Sequence, residues 1–492
     1  MADPLILALD QGTTGSTAVA VGLDGAVAGK GYREITQHYP RPGWVEHDPE
    51  EIWTSVQEAA AVALGAAGRD AGDVQAVGIT NQRETLVLWD RKTLKPLAPA
   101  IVWQDRRTAA ECDRLREAGH EDRVRELTGL VLDPYFTGTK LAWALAHVEG
   151  AGKAAAGTVD SWLVARLSGG DHLTDASNAS RTLLCDISTG RWSQEMAELL
   201  GVSLDVLPEI RPSSGEVSRT RPDLFLGVEA PIAGIAGDQQ AALFGQACFQ
   251  PGTAKNTYGT GSFLLEQTGG ERVASRSGML TTIAWLRDGR LSYALEGAIF
   301  VTGAALQWLR DGLGVIKSAA EAGPLAESVE STGGVYLVPA FVGLGAPHWD
   351  AYARGTIVGL TRGTGRAELV RAAVEAMAFQ SADVAEAMAA DSGHPLRELK
   401  VDGGAAVMDF LCQFQADLLG IPVRRPRVTE TTALGAAFLA GLGSGAWSGD
   451  AELASLWRLD REFEPSLSRD QAGSLLAEWR RAVERARGWI HS

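Results

Sequence analysis

Cysteine is scarce in this chain. Its 492 residues include four, Cys112, Cys185, Cys248 and Cys412. None forms a Cys-x-x-Cys pair or has a histidine at metal-ligand spacing. That excludes a zinc ribbon and a disulfide scaffold, and predicts reduced thiols within the core. Positive charge is also in deficit: 45 Lys and Arg against 61 Asp and Glu leave a formal net charge of −16. A phosphate-backbone partner demands a basic surface, so no nucleic acid is expected. A nucleotide is still allowed, because it needs only a local cradle of N–H groups and a cation. The opening MADPLILALDQG has no basic leader, and no stretch approaches the ~18 apolar residues of a membrane span. A soluble, cytoplasmic protein without a membrane span is expected. No low-complexity tract or solenoid repeat is visible.

The length suffices for two or three domains. Leu5–Leu9 is a short apolar run ending at Asp10 and reads as a buried strand. Thr17–Val21 reads as a second strand after the turn Gln11–Ser16, and Gly22-Leu23-Asp24-Gly25 as another hairpin turn. The chain thus opens as a β-meander, unlike a P-loop or Rossmann unit. Asp48, Pro49 and Glu51 fit an N-cap, a first helical position and a reciprocal capping residue ahead of a helix running to about Ala66. Val74–Thr80 reads as a strand, after which helices alternate with apolar strands. Near residue 250 the rhythm restarts, with strands at Ala254–Tyr258, Ser262–Gln267 and Leu280–Trp285. The pattern predicts two α/β domains, 1–248 and 249–492, with a cleft between them where a small molecule would bind. In Arg366–Met388, Leu369, Ala373, Met377, Val384 and Met388 fall on one helical face, a core-facing stripe.

Four short segments carry candidate chemistry. Asp10-Gln11-Gly12-Thr13-Thr14 puts a carboxylate at a strand end, then a glycine and two hydroxyls; such a hairpin can wrap phosphates while the acid holds a hydrated Mg²⁺. Gly234-Ile235-Ala236-Gly237-Asp238-Gln239-Gln240 is a small-residue turn with one acid. That acid can serve as a general base toward a hydroxyl, or simply begin a helix. Asn256–Phe263 contains Gly259-Thr260-Gly261 between strands, a second phosphate turn. Val401-Asp402-Gly403-Gly404-Ala405 is an apolar strand ending in two glycines, which permit flat contact with an adenine or ribose. Each also reads as an ordinary polar turn when taken alone.

In this order the segments resemble the sugar kinase, actin and heat-shock-chaperone ATPase superfamily, and within it the FGGY family of carbohydrate kinases. Tyr135–Trp143 resembles one family signature, and Gly355–Leu360 continuing to Ala372–Glu375 the other. Within the family the similarity runs closest to the members that phosphorylate glycerol. It rests on Pro42–His47, Asn81–Glu84, Val102–Asp105 and Gly237–Leu243, and covers nearly the whole chain. The resemblance implies two ribonuclease H-like (actin-like ATPase) α/β domains and a Mg²⁺-dependent ATP:glycerol 3-phosphotransferase. Arg83, Glu84, Trp103, Tyr135, Asp238, Gln239 and Phe263 would form the polyol pocket, with Asp238 as catalytic base. Thr13, Thr14, Thr260, Gly303, Gln307 and Gly404 would line the nucleotide. Asp10 and Asp238 would stand at the metal. Arg83 and Glu84 are neighbours, so a regular strand would point them to opposite faces; both reach one ligand only if the chain bends there.

Three departures accompany the resemblance, one being that Leu226-Gly227-Val228-Glu229-Ala230-Pro231 offers no cation where members regulated by fructose 1,6-bisphosphate carry an arginine, so no such regulation is expected. Gly15-Ser16-Thr17 replaces the usual Ser-Ser-Arg, removing a hydroxyl and a cation from the first phosphate hairpin. Met408 stands where the family often has an asparagine beside adenine. A kinase for another short polyol or ketose is an alternative, and so is a nucleotide-binding regulator that has lost turnover. Retention of Asp10 and Asp238 argues against the regulator. A homo-oligomer is compatible with the sequence and is not fixed by it.

Overall fold

The computed structural model describes residues 3–490. Two sheets organise it. The first is built from β1 (Leu5–Gln11), β2 (Gly15–Gly22), β3 (Val27–Glu34), β4 (Val74–Asn81), β5 (Ser214–Arg219) and β6 (Pro231–Gly237), in the order β5-β6-β4-β1-β2-β3. β1, β2 and β3 form an antiparallel meander, and β4 and β6 then add parallel to β1. The second sheet uses β7 (Thr253–Tyr258), β8 (Ser262–Gly269), β9 (Leu280–Arg287), β10 (Arg290–Ile299), β11 (Glu398–Asp402), β12 (Val423–Pro426) and β13 (Leu459–Phe463). Its order is β9-β10-β8-β7-β11-β12-β13. It repeats the plan: an antiparallel meander β7-β8-β10, then β11 and β12 parallel to β7. This is the two-fold α/β architecture expected from the restart near residue 250.

The opening meander forms as read, although β2 begins earlier, at Gly15, leaving a tight turn closed by Gly12 N donating to the Gly15 carbonyl at 2.9 Å. Helix α1 (Pro49–Ala67) starts at the expected place, with the Asp48 carboxylate accepting from the Glu50 amide. Glu51 does not close a capping box. Its carboxylate accepts instead from the Thr36 amide and hydroxyl, because β3 ends beside the helix start and presents a competing pair of donors. The Arg366–Met388 segment lies in α5 (Arg366–Ser392), buried on nearly every side rather than along one stripe. Strands β8 and β10 cover one side and further helices the other, so polar residues such as Ser381 and Asp383 are buried with the apolar ones. All four cysteines are free and buried, as expected.

The halves are joined by helices α3 (Asp238–Gly245) and α6 (Thr431–Gly443). α6 belongs to the second half in sequence, yet it packs on β1, β4 and β6 of the first sheet and crosses α3. It can approach so closely because Gly78 and Gly234 on the sheet and Gly245 on α3 face it with backbone alone. A Cβ at Gly435 would run into the Ala241 carbonyl, and one at Gly78 into that of Ala436. Ile6, Ala8, Val19, Ala236, Phe244, Ala437 and Phe438 close the seat into one apolar cluster shared by both halves. Backbone–backbone contact leaves no flexible side chain to yield. Gly435→Ala is therefore expected to cost about 1–3 kcal/mol through overpacking. Urea denaturation checks it, and an unchanged midpoint would contradict the seat.

Candidate active site

The parallel strands of the first sheet all end on the same side, and the candidate residues sit there, at the carboxyl ends that favour ligands in α/β sheets. Asp10 lies at the end of β1, Arg83 and Glu84 just past β4, and Asp238 just past β6 as the first residue of α3. The chain bends where the Arg83–Glu84 pair required it. Glu84 takes a left-handed conformation, φ 63°, which turns both side chains into the same buried space.

Arg83 is the hub. Its Nε lies 3.0 Å from Asp238 Oδ1. Nη1 donates to Gln240 Oε1 at 3.2 Å and to Glu296 Oε2 at 2.5 Å, and Nη2 donates to Glu296 Oε1 at 3.1 Å. Its guanidinium stands 5.7 Å from the Phe263 ring centre. Glu84 accepts from Arg181 Nε at 2.6 Å, and Arg181 Nη2 donates to Glu296 at 2.9 Å. Trp103 and Tyr135 meet edge to face, ring centres 5.5 Å apart, and form an aromatic wall. Burial and the nearby Glu84 carboxylate push the Tyr135 hydroxyl pKa up, so it remains a neutral donor. Trp103 Nε1 donates to Thr13 Oγ1 at 2.9 Å, tying this wall to the first hairpin. Gln239 accepts from the Lys255 ammonium, which also donates to Thr257 Oγ1 at 2.9 Å and the Phe263 carbonyl at 3.2 Å. The seven residues assigned to a polyol are thus linked around one space.

The expected nucleotide residues lie on two turns, one in each half. Thr13 and Thr14 occupy the hairpin between β1 and β2. In the second half, the Gly259–Gly261 turn between β7 and β8 is bound to the start of α4 (Gly303–Gln307): Gly303 N donates to the Gly259 carbonyl at 3.0 Å and Ala304 N to that of Thr260 at 3.0 Å. Gln307 lies one turn further along α4 and is exposed. Gly403, φ 85°, passes directly against the Tyr258 backbone, which sets Gly404 beside the turn. Met408 is buried, close to Gly323 in the core of the second half.

The departure at Gly15 has a local cause. A Cβ there would lie 2.5 Å from the Arg33 carbonyl and 2.6 Å from the Tyr32 hydroxyl. Thr17 pairs across the sheet with Asp10 on one side and Tyr32 on the other. Lys30, two residues along from Tyr32, pairs with Glu430 and acts electrostatically on Asp10.

Three charged residues of the site escape a reading by motif. Arg181 follows a short helix, α2 (Ala176–Ala179), without any spacing cue. Glu296 offers a weak signal as an acid within the apolar run Tyr293–Ile299, and Lys255 a weaker one as the single charge of the short strand Thr253–Tyr258. Burial holds the Lys255 pKa down, at about 8, with Asp402 and Asp238 opposing that shift. Among the described residues no group of three or more His, Cys, Asp or Glu side chains could hold an ion alone. A cation at Asp10 and Asp238 would need further oxygens from a ligand, the usual arrangement for Mg²⁺ between carboxylates and phosphates.

Known proteins resemble this chain in sequence and fold. The chain matches the models of the FGGY family of carbohydrate kinases, the N-terminal domain over residues 5–245 and the C-terminal domain over residues 254–444. It is 58% identical to a glycerol kinase of Dechloromonas aromatica, covering 100% of this chain and 99% of that one. It is 56% identical to glycerol kinase 2 of Thermotoga maritima, covering 98% and 99%. Its fold superimposes on the crystal structure of Plasmodium falciparum glycerol kinase with ADP, with a TM-score of 0.92 and 35% identity over 100% and 99% of the two chains. A gluconate kinase of Lactobacillus acidophilus, 20% identical and covered over 98% of each chain, shares the fold with a TM-score of 0.86.

Asp10 provides a pH test. Burial raises its pKa, and the charges of Asp238 and Glu430 raise it further, to about 7 from an ordinary 3.8. The folded state therefore holds this proton more tightly than the unfolded state does. Its stabilising effect is complete below the ordinary value and is lost as pH rises through about 7. In ligand-free protein with a chelator, Asp10→Asn is expected to raise Tm, by a margin that widens from about pH 5 to about pH 8. A margin that narrows over that range contradicts the assignment.

Proposed function

The chain belongs to the FGGY family of carbohydrate kinases, and from that premise we propose that it transfers the γ-phosphoryl group of ATP to glycerol, giving sn-glycerol 3-phosphate and ADP. The observation that supports this reading is the linked set around Arg83, tied through Trp103 to the Thr13 hairpin and through Gln239 and Lys255 to the strand that leads into the Gly259–Gly261 turn. Arg83, Glu84, Tyr135, Asp238 and Gln239 offer donors and acceptors for hydroxyls, while Trp103 and Phe263 offer faces for the C–H edge of a three-carbon polyol. A site that pairs each hydroxyl penalises analogues lacking one. Thr13, Thr14, Thr260, Gly303, Gln307 and Gly404 hold the nucleotide. Residues 1–248 then carry the polyol pocket and the first hairpin, and residues 249–492 the nucleotide side.

Asp238 suits the base. Its Oδ1 is engaged by Arg83 and by the Gln239 amide at 2.7 Å, while Oδ2 has no protein hydrogen bond among the described residues and is free to take a hydroxyl proton. As that proton moves to Asp238, the hydroxyl oxygen forms its bond to the γ-phosphorus, and the bond to the β,γ-bridging oxygen of ATP breaks. Bound Mg²⁺ supplies charge neutralisation at the phosphates, and Asp10 and Asp238 are the carboxylates suited to hold it. Apposition of the halves keeps out water, the competing acceptor. Among the described residues no helix is long and apolar enough to cross a membrane, and a cytoplasmic location is part of this reading.

ADP release with ATP and Mg²⁺ is expected to depend on glycerol. Asp238→Asn is expected to lower kcat by about 10²–10⁴-fold. ADP release indifferent to glycerol, or an Asn variant of full activity, would overturn the proposal.

A further inference from the structure

The polyol side of the cleft is held by charges that cancel across the two halves. Glu296 sits on β10 of the second sheet, fully buried, a single acid within the run Tyr293–Ile299. Its carboxylate takes both Nη atoms of Arg83, at 2.5 and 3.1 Å, and Nη2 of Arg181 at 2.9 Å. Both arginines come from the first half of the chain; the carboxylate that fixes them comes from the second. The arginines and the nearby Lys255 outweigh the effect of burial and bring the Glu296 pKa down to about 2, so it is ionised throughout the neutral range.

Stability alone does not explain this arrangement. Buried ion pairs lose in desolvation about what they gain in attraction, and apolar packing would serve the fold as well. What the arrangement does supply is direction. Arg83 donates from Nη1 to Gln240 and Glu296 and from Nη2 to Glu296, while Nε lies 3.0 Å from Asp238 as an ion pair. One Nη2 hydrogen is left, at an angle set by Glu296, and it can serve a hydroxyl.

We propose that Glu296 is a positioning residue for the polyol: by fixing the Arg83 fork from the opposite half, it makes the pocket complete only when β10 lies against the Arg83–Glu84 bend. Glu296 acts through Arg83 and does not touch the reacting atoms. This rests on the assignment of Arg83 to the polyol, and the test separates the two.

The test measures ADP release against glycerol and against ATP for Glu296→Gln, Arg83→Lys and the double variant. Glu296→Gln is expected to raise the glycerol KM about tenfold and to narrow the preference for glycerol over propane-1,2-diol, with the ATP KM unchanged within about twofold. In the Arg83→Lys background the same change is expected to add nothing, since coupled residues are non-additive. Additive losses, an unchanged glycerol KM in Glu296→Gln, or an equal rise in both KM values overturns the positioning role. An unchanged glycerol KM in Arg83→Lys overturns the Arg83 assignment itself. Where Glu296→Gln fails to fold, Glu296→Asp carries the test: it keeps the charge, shortens the reach, and is expected to raise the glycerol KM by less than tenfold while leaving the ATP KM alone.

Discussion

A helix of the second half lies in backbone contact with the sheet of the first, and the site depends on that contact. α6 reaches β4 and β6 through Gly78 and Gly234 and crosses α3 at Gly245 and Gly435. α3 begins at Asp238, and the residue before α6 is Glu430, the partner of Lys30 beside Asp10. The seat therefore locates the proposed base together with the acid that pairs with Lys30. Contacts between side chains can slip by a rotamer; backbone packed on glycine cannot. This rigidity suits a site whose donors must match hydroxyls a few ångströms apart.

On this rigid base rests a group of charges that would be costly singly. Arg83, Arg181, Glu84 and Glu296 are all buried, two of each sign, and each is paired. Removing one member leaves its partner uncompensated in a low dielectric, a loss of about 3–5 kcal/mol for a buried pair. The cluster is not fully satisfied: Arg181 Nη1 is buried without a hydrogen-bond partner. On the proposed reading, a bound polyol would bring further acceptors to this cluster.

Much of this was legible in the sequence, for identifiable reasons. The opening meander shows in Leu5–Leu9 and in the Gly22–Gly25 turn, because local patterning alone decides a hairpin. The bend at Arg83–Glu84 comes from requiring two adjacent side chains to reach one ligand, and φ 63° at Glu84 is that bend. Interactions between distant elements were not legible. Glu51 has the right spacing for a capping box, but Thr36, brought in by β3, competes for it. The stripe on Arg366–Met388 shows that a helix has a core face, but not that other helices cover its remaining sides. Arg181 and Glu296 are far apart in the chain, and no spacing rule joins them.

Thr17 leaves the first hairpin short of a cation, and the surrounding charges do not make up the deficit. Asp10 has Asp238 and Glu430 as acidic neighbours, with Lys30 as the opposing charge. Lys30 is itself paired with Glu430 and half-exposed, so solvent screens the rest of its field. Lys255 is the better-shielded cation, fully buried on β7, but its hydrogen bonds are spent on Gln239, Thr257 and the Phe263 carbonyl. The hairpin is therefore net acidic. A bare polyphosphate would meet repulsion from Asp10 and Asp238, whereas one carrying a divalent cation would meet two carboxylates able to complete the cation's shell. On the proposed assignment, this charge balance would disfavour free ATP and favour the metal-bound form. That supports the same residues serving both as the proposed metal carboxylates and as the border of the polyol pocket.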